Sequence, residues 1–249
     1  MSTTGPRMGD NPGVMTADSL ARFAAVLADR SRAGICLVLL DGRAWTAGEL
    51  ARHVGVARST ASEHLTVLVA AGLLAEERQG RHRYLRLADH HSAQLVEDLA
   101  AAVGVAQLPS SLRAVRATGQ LAAARTCYDH LAGDLGVALF DALVARELID
   151  DRNGLTLTTA GRAWFTALAG AHVLQPKGTR PLLRTCLDWT ERRHHLGGSL
   201  GATMCQQLLD RSWLTRIPRL RAVTLTPAGS RALTELLGLD LHGLQGNAS

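Results

Sequence analysis

The stretch from Ala57 to Leu87, ARSTASEHLTVLVAAGLLAEERQGRHRYLRL, constrains this chain more than any other. Ala61, Leu65, Leu68 and Gly72 recur at helical spacing and define one buried stripe, whereas Ser59, Ser62, Glu63 and Thr66 fall on the opposite side. After Gly72 the period changes to two. Leu74, Glu76 and Arg78 then share one strand face, Arg83, Leu85 and Leu87 share the next, and Gln79-Gly80 forms the tip. A helix with a short polar outer face followed by a basic hairpin is the reading end of a winged helix-turn-helix.

The preceding residues supply the rest of such a unit. Asp18 and Asp29 can each cap a helix, and Thr46 followed by Glu49 is a capping box opening GELARHVG. Gly55 closes that helix, and a tight turn leads into the helix starting near Arg58. On this helix Arg58 is expected to meet the backbone and Ser59, Ser62, Glu63 and Thr66 to reach base edges, with Glu63 accepting from a cytosine amino group and Thr60 a further DNA-binding residue. Arg78, Arg81, His82 and Arg83 on the hairpin supply the phosphate attraction that Glu63 lacks.

Charge agrees with this reading. Lys+Arg of 27 against Asp+Glu of 22 leaves a formal +5, and Lys177 is the single lysine. Arginine forks suit phosphate and guanine, although a GC-rich genome also favours Arg codons. No run of about 18 uncharged apolar residues predicts a membrane span. With no apolar leader core in the first fifteen residues, a cytoplasmic location is expected. Cys36, Cys127, Cys186 and Cys205 are far apart and form no CxxC pair, which argues against a zinc ribbon or a secreted disulfide framework.

The segments LADRSRAGICLVLL, TAGELARHVGVARSTASEHLTVLVAAGLL and GRHRYLRL resemble the ArsR family of bacterial repressors over about the first hundred residues. The resemblance implies a winged-helix homodimer that binds palindromic double-stranded operator DNA and leaves it when a metal ion or another signal binds. It places the subunit contact on the first helix and on a helix near 91–103 that carries Leu95, Leu99 and Ala102. The family's metal boxes transfer poorly. ELARHVG holds His53 but no thiol, and Asp89 and His91 match the start of a second box whose later ligand positions are Ala102 and Val105. Two donors do not close a zinc site.

Beyond Gly104 lies an internal repeat. Arg125-Thr-Cys-Tyr-Asp129 is echoed by Arg184-Thr-Cys-Leu-Asp188, and HLAGDLG at 130–136 by HLGGSLG at 195–201. Both copies end alike, at LTLTTAG and VTLTPAG, and differ mainly by an insertion from Trp189 to His194. Each copy reads as helix, helix, short strands, helix, the outline of a degenerate winged helix. The helix in the reading position is apolar and acidic, so these copies are expected to bind each other or a small molecule rather than DNA. The C-terminal half also resembles that of longer, actinobacterial ArsR-like regulators.

The sequence therefore predicts a mostly α fold with small β-hairpin wings. Its parts are a tail over 1–15, a winged helix-turn-helix over 16–104, a linker over 105–124, repeats over 125–172 and 182–240, and a tail over 241–249.

Two readings stay open for the repeats. Cys127, Asp129, His130, Cys186, Asp188 and His195 offer soft and borderline donors that pseudo-symmetry could bring to one divalent metal. Alternatively the thiols are small core residues and the carboxylates cap turns or pair with Arg125 or Arg184, the preferred reading because helical neighbours diverge. Thiol oxidation is a further option. Trp164, Trp189 and Trp213 could line an effector pocket but are more often core, and the His90-His91 and His194-His195 doublets read as solvated surface. No nucleophile setting, carboxylate pair or glycine-rich phosphate loop points to an enzyme. The expected function is a sequence-specific repressor released by a signal sensed in the C-terminal half. Alternatives are a repressor of resistance or efflux genes answering cadmium, lead, zinc or arsenic, and a constitutive nucleoid-like DNA binder.

Overall fold

The computed structural model describes residues 16–79, 82–103, 112–175, 178–218 and 220–241. The chain divides into two compact units, Met1–Glu97 and Asp98–Ser249.

The first unit opens with α1 (Ala17–Leu27) and α2 (Arg30–Leu39), then β1 (Trp45–Thr46), α3 (Ala47–Val54), α4 (Arg58–Ala70), β2 (Leu74–Gln79) and β3 (His82–Leu87); α5 (His90–Val103) follows. Local chemistry fixes these boundaries. Thr16, two residues before the expected Asp18, caps α1 with Ser19, because its hydroxyl rather than the first-turn carboxylate accepts from the Ser19 N–H. Asp29 accepts from the Arg32 amide at 2.9 Å, and Thr46 and Glu49 form the capping box expected of them. Gly55 ends α3 at φ 73°, a left-handed conformation that costs glycine nothing.

The α4 stripe of Ala61, Leu65 and Leu68 is fully buried with Ile35, Cys36, Leu39, Leu50 and Leu85. Each large side chain so buried contributes roughly 1.5–3 kcal/mol. Strands order as β1-β3-β2, all antiparallel, and the predicted hairpin register is the one formed: Leu74 faces Leu87, Glu76 faces Leu85 and Arg78 faces Arg83.

The second unit begins with α6 (Leu112–Ala123), followed by β4 (Arg125–Cys127), β5 (His130–Ala132), α7 (Gly133–Ala145), β6 (Ile149–Asp150), β7 (Thr156–Leu157) and α8 (Thr159–Ala169). After a 3-10 turn at Ala171–Leu174 come β8 (Arg184–Leu187), β9 (His194–Gly197), α9 (Gly198–Asp210), β10 (Leu214–Arg216), β11 (Val223–Leu225) and α10 (Pro227–Leu237). Strand, strand, helix, strand, strand, helix thus occurs twice. Where the sequence predicts a helix at the head of each run, the structure has an antiparallel hairpin, β4-β5 and β8-β9. The turns explain the difference: Tyr128 and Arg192 sit at φ 57° and 55°, which a right-handed helix cannot accommodate.

Leu135, Leu139 and Leu143 of α7, Leu200, Met204 and Leu208 of α9, Phe165 of α8 and Leu233 and Leu237 of α10 share one core. Eight residues of α7 are buried, so the helix is committed to packing. The chain as a whole is mostly helical with small hairpins. No described helix is long and apolar enough to cross a membrane.

Candidate functional site

Each unit carries one group of residues with distinctive chemistry, exposed in the first and buried in the second. On α4, Arg58, Ser59, Ser62, Glu63 and Thr66 are exposed and Thr60 is half-buried. Burial of Ala61, Leu65 and Leu68 turns this polar side outward. Ala57 places no side-chain cap on the helix start, so its first amides remain available to a phosphate. Thr66 donates its hydroxyl back to the Ser62 carbonyl at 2.9 Å, which leaves its oxygen free to accept.

On the hairpin, Arg78 is exposed, whereas the Arg83 side chain is 23 % exposed and lies 2.6 Å from Glu76. Arg78 also reaches Glu76, at 3.1 Å. Glu76, which the sequence reading took only as a strand residue, therefore holds both arginines along the wing. Arg81 and the side chain of His82 lie outside the described residues.

The residues of the first unit that match only part of the family's metal boxes make other contacts. Asp89 accepts from the Ser92 amide at 2.8 Å and so caps α5, and the His90 and His91 rings stack at 3.9 Å. His53 meets the Trp45 ring edge-on at 5.7 Å.

In the second unit the thiols are core residues and Asp188 pairs with Arg125, as the preferred reading has it, but these residues lie on hairpins rather than on a helix, so they do not diverge. Cys127 and His130 are cross-strand partners on β4-β5, and Cys186 and His195 are cross-strand partners on β8-β9. Paired residues of a hairpin present their side chains to the same face. The two hairpins bring those faces together, with the His130 and His195 rings 5.1 Å apart and the Cys127 and Cys186 sulfurs 3.7 Å apart. One donor atom from each of the four residues lies within 4.8 Å of the others, and all four residues are buried. His195, read from the sequence as solvated, is 1 % exposed.

Asp129 and Asp188 stand behind the histidines rather than beside the sulfurs. Asp129 Oδ1 lies 3.3 Å from His130 Nδ1 and receives the fork of Arg180, not of Arg184. Asp188 Oδ2 lies 3.2 Å from His195 Nδ1 and accepts the Gly133 amide at 2.7 Å, while its Oδ1 accepts from Arg125 at 2.7 Å. The 189–193 loop covers this pair: Thr190 binds both Arg125 and Asp188, and the Trp189 ring lies 4.5 Å from the guanidinium. This loop thus encloses a buried ion pair, and Trp189 covers an arginine. Trp164 and Trp213 pack against the core.

The electrostatics separate these thiols from the other two. Burial pushes the Cys36 and Cys205 thiols up to about 12, so they stay protonated and inert. The Cys186 thiol is lowered, first by the hydrogen bond from Cys127 and then by His130 and His195, against the opposing effect of burial. Burial alone would discharge His130, but Asp129 and Cys186 outweigh it and raise its pKa to about 9. Burial also opposes ionisation of Asp129, yet Arg180 and His130 hold it down at about 2. Asp188 lies well below the usual carboxylate range, because His195, Arg125, Thr190 and the Gly133 amide overcome its burial. Two carboxylates therefore stay charged behind two histidines that face two sulfurs.

Comparison with known proteins places the first unit in context. A family model described as a helix-turn-helix domain matches residues 27–77. The chain is similar to the HTH-type transcriptional regulator YdfF of Bacillus subtilis strain 168, 38 % identical over 225 residues that cover 90 % of this chain and 99 % of that protein. It is also similar to the HTH-type transcriptional regulator CmtR of Mycobacterium tuberculosis, 37 % identical over 42 % of this chain and 95 % of the relative. Among solved structures, the cadmium metal-sensor CmtR of Mycobacterium tuberculosis covers 37 % of this chain and 94 % of its own at a TM-score of 0.30 and 37 % identity. With α4 and its wing in place and near-complete coverage of a full-length regulator, the chain belongs to the ArsR family of winged helix-turn-helix transcriptional regulators.

Proposed function

We propose that this regulator is a homodimeric repressor that works in the cytoplasm, holds a double-stranded operator through α4 and the β2-β3 wing, and releases it when an effector is sensed in the second unit. The observation that carries the reading is the outward, small and polar face of α4 beside an arginine-bearing wing, on a chain whose second unit buries the matching helices. Arg58 and the α4 start would lie on phosphates, Ser59, Thr60, Ser62, Glu63 and Thr66 on base edges, and Arg78, Arg81, His82 and Arg83 on flanking phosphates or in the minor groove. Release would be a population shift: the effector binds better to a state whose two α4 helices no longer match half-sites about 34 Å apart.

Two experiments test this. Binding to an operator selected from random DNA should exceed binding to unselected DNA by at least about 10³-fold; near-equal affinities would make the protein a constitutive, nucleoid-like binder. In the Arg78→Ala/Arg81→Ala variant the logarithmic salt slope should fall by about 2 for each hairpin engaged, one per lost phosphate contact. An unchanged slope removes the wing from the interface.

The dimer follows from surfaces left open in the single chain. α1 has no buried residue and exposes Leu20, and Leu99 and Val103 of α5 are 45 % and 75 % exposed. Such apolar side chains suit a helical subunit contact. Leu20→Glu combined with Leu99→Glu should convert the dimer to monomers in sedimentation velocity and weaken operator binding at least tenfold; a dimer that survives would place the contact elsewhere.

A metal ion is the effector class favoured by the Cys127, His130, Cys186 and His195 cluster. CmtR, matched above, is described as a cadmium sensor.

A further inference from the structure

We propose that Cys127, His130, Cys186 and His195 form a closed tetrahedral site for one zinc-class dication, zinc or cadmium, and that Asp129 and Asp188 are its positioning residues. The claim that this ion is the effector rests on the repressor reading above; the claim that the site binds metal does not.

Geometry comes first. With zinc–sulfur bonds of about 2.3 Å and zinc–nitrogen bonds of about 2.05 Å, the edges of a tetrahedron are roughly 3.8 Å between sulfurs and 3.3 Å between nitrogens. The two sulfurs already lie 3.7 Å apart, and the four donors fit within 4.8 Å, so a bound ion would draw the set in by roughly 1.5 Å at most.

The second observation is a pair of orphaned atoms. Nε2 of His130 and Nε2 of His195 are fully buried and make no hydrogen bond of acceptable geometry. Each orphan costs free energy comparable to a lost hydrogen bond. A cation at the centre of the cluster satisfies both. Each Nδ1 lies close to a carboxylate: His130 Nδ1 is hydrogen-bonded to Asp129 at 3.3 Å, whereas His195 Nδ1 lies 3.2 Å from Asp188 without hydrogen-bond geometry and is itself unsatisfied. A carboxylate behind Nδ1 is the usual outer support of a metal-binding imidazole and leaves Nε2 as the ligand.

That support is rigid and crosses between the hairpins. Asp129 of the first hairpin is held by Arg180, which also donates to the Gly198 carbonyl at the start of α9. Asp188 of the second holds the Gly133 amide at the start of α7. An ion joining β5 to β9 would therefore pull on the starts of both core helices.

Donor chemistry selects the ion. Two thiolates neutralise a dication, so the filled site carries no net charge into the interior. Sulfur and imidazole suit zinc and cadmium and disfavour magnesium and calcium. Four protein donors leave no open position, which excludes a metal-bound water as reagent and fits a structural or sensory ion.

Cobalt(II) is the probe that tests the site. The full chain, reduced and freed of metal by a chelator, is titrated with cobalt(II) and then with zinc(II) or cadmium(II). One cobalt per chain should give a thiolate-to-cobalt charge-transfer band and the intense visible bands of tetrahedral cobalt. Zinc and cadmium should bleach them, and excess magnesium should not. Cys127→Ser plus Cys186→Ser should abolish the charge-transfer band, whereas Cys36→Ser plus Cys205→Ser should retain it. Because the first pair is buried, circular dichroism of the apo variant and a separate Cys186→Ala variant guard against misfolding. A folded double variant that keeps the band, or a wild-type chain with no band, overturns the site.

Operator affinity measured with and without zinc decides the second claim. A change between about 5-fold and 150-fold in the wild type, absent in the Cys127→Ser/Cys186→Ser variant, supports sensing. A full site with unmoved operator affinity overturns sensing at this ion and leaves the metal site standing.

Discussion

Asp188→Ala should destabilise the second unit by about 3–5 kcal/mol, the effect of removing one partner from a buried ion pair. The reason lies in what is stranded. Arg125 is 0 % exposed, and among the described residues its guanidinium has Asp188 as its carboxylate partner at 2.7 Å, with the Leu121 carbonyl and the Thr190 hydroxyl as neutral acceptors. Without the carboxylate a full positive charge stays inside, and the Gly133 amide and two loop amides, of Thr190 and Glu191, lose their acceptor. Domains of this size hold only about 5–15 kcal/mol in all, so the variant should sit near its folding threshold. Urea unfolding followed by the fluorescence of Trp164, Trp189 and Trp213 in a Trp45→Phe background reads the loss. An Asp141→Ala control removes an exposed contact with Arg193 and should move the midpoint far less. If Asp188→Ala unfolds where wild type does, Arg125 is not buried as a charge. Replacing both partners, Arg125→Met with Asp188→Leu, should recover much of the loss, because the pair's value lies mainly in neutralising itself.

The two units differed in how far their residues announced them. In the first, Leu65 and Leu68 repeat at helical spacing, Thr46 and Glu49 cap, Gly55 and Gly72 stop, and Leu74 to Leu87 alternate with a period of two. Each signal is local, so reading them in order recovers the element and its buried face. In the second unit the decisive strands are three or four residues long, too short to show a period against the apolar helices that follow. Cys127 and His130 therefore read as helical, where they would diverge. The available signal was the count between them: two residues separate Cys127 from His130, the loop length of a tight hairpin, which makes its flanking residues partners. Arg180 and the stacking of Trp189 on Arg125 were not readable, because both depend on contacts between residues more than fifty positions apart. Cys36 and Cys205 were readable as inert, since apolar neighbours in sequence remained their neighbours in space.

The same juxtaposition makes Gly201 the position where a helix-favouring change should do harm. Alanine is a better helix former than glycine by about 1 kcal/mol, so Gly201→Ala in α9 would ordinarily stabilise. Here a Cβ would stand 2.4 Å from the Leu196 carbonyl oxygen and 2.9 Å from its carbon, both backbone atoms of β9, and 3.3 Å from His130 Cβ. Backbone cannot step aside as a side-chain tip can, so the overpacking cost should fall near the upper end of about 1–3 kcal/mol and leave a net loss of about 2 kcal/mol. Gly119 in α6 has nothing within 4 Å of its would-be Cβ, and Gly119→Ala should instead gain about 0.5–1 kcal/mol. Opposite signs from one chemical change separate crowding from propensity. Metal binding supplies a second readout: the clash displaces β9 or His130, and both carry proposed ligands, so Gly201→Ala should weaken cobalt binding while Gly119→Ala leaves it unchanged. Saturating metal should also raise the unfolding midpoint of Gly201→Ala, because an ion at 1,000 times its dissociation constant adds about 4 kcal/mol to whatever state it binds. A Gly201→Ala protein as stable as wild type and equally tight for cobalt would mean that α9 does not lie against β9 as described, and the approach of His130 to His195 would fail with it.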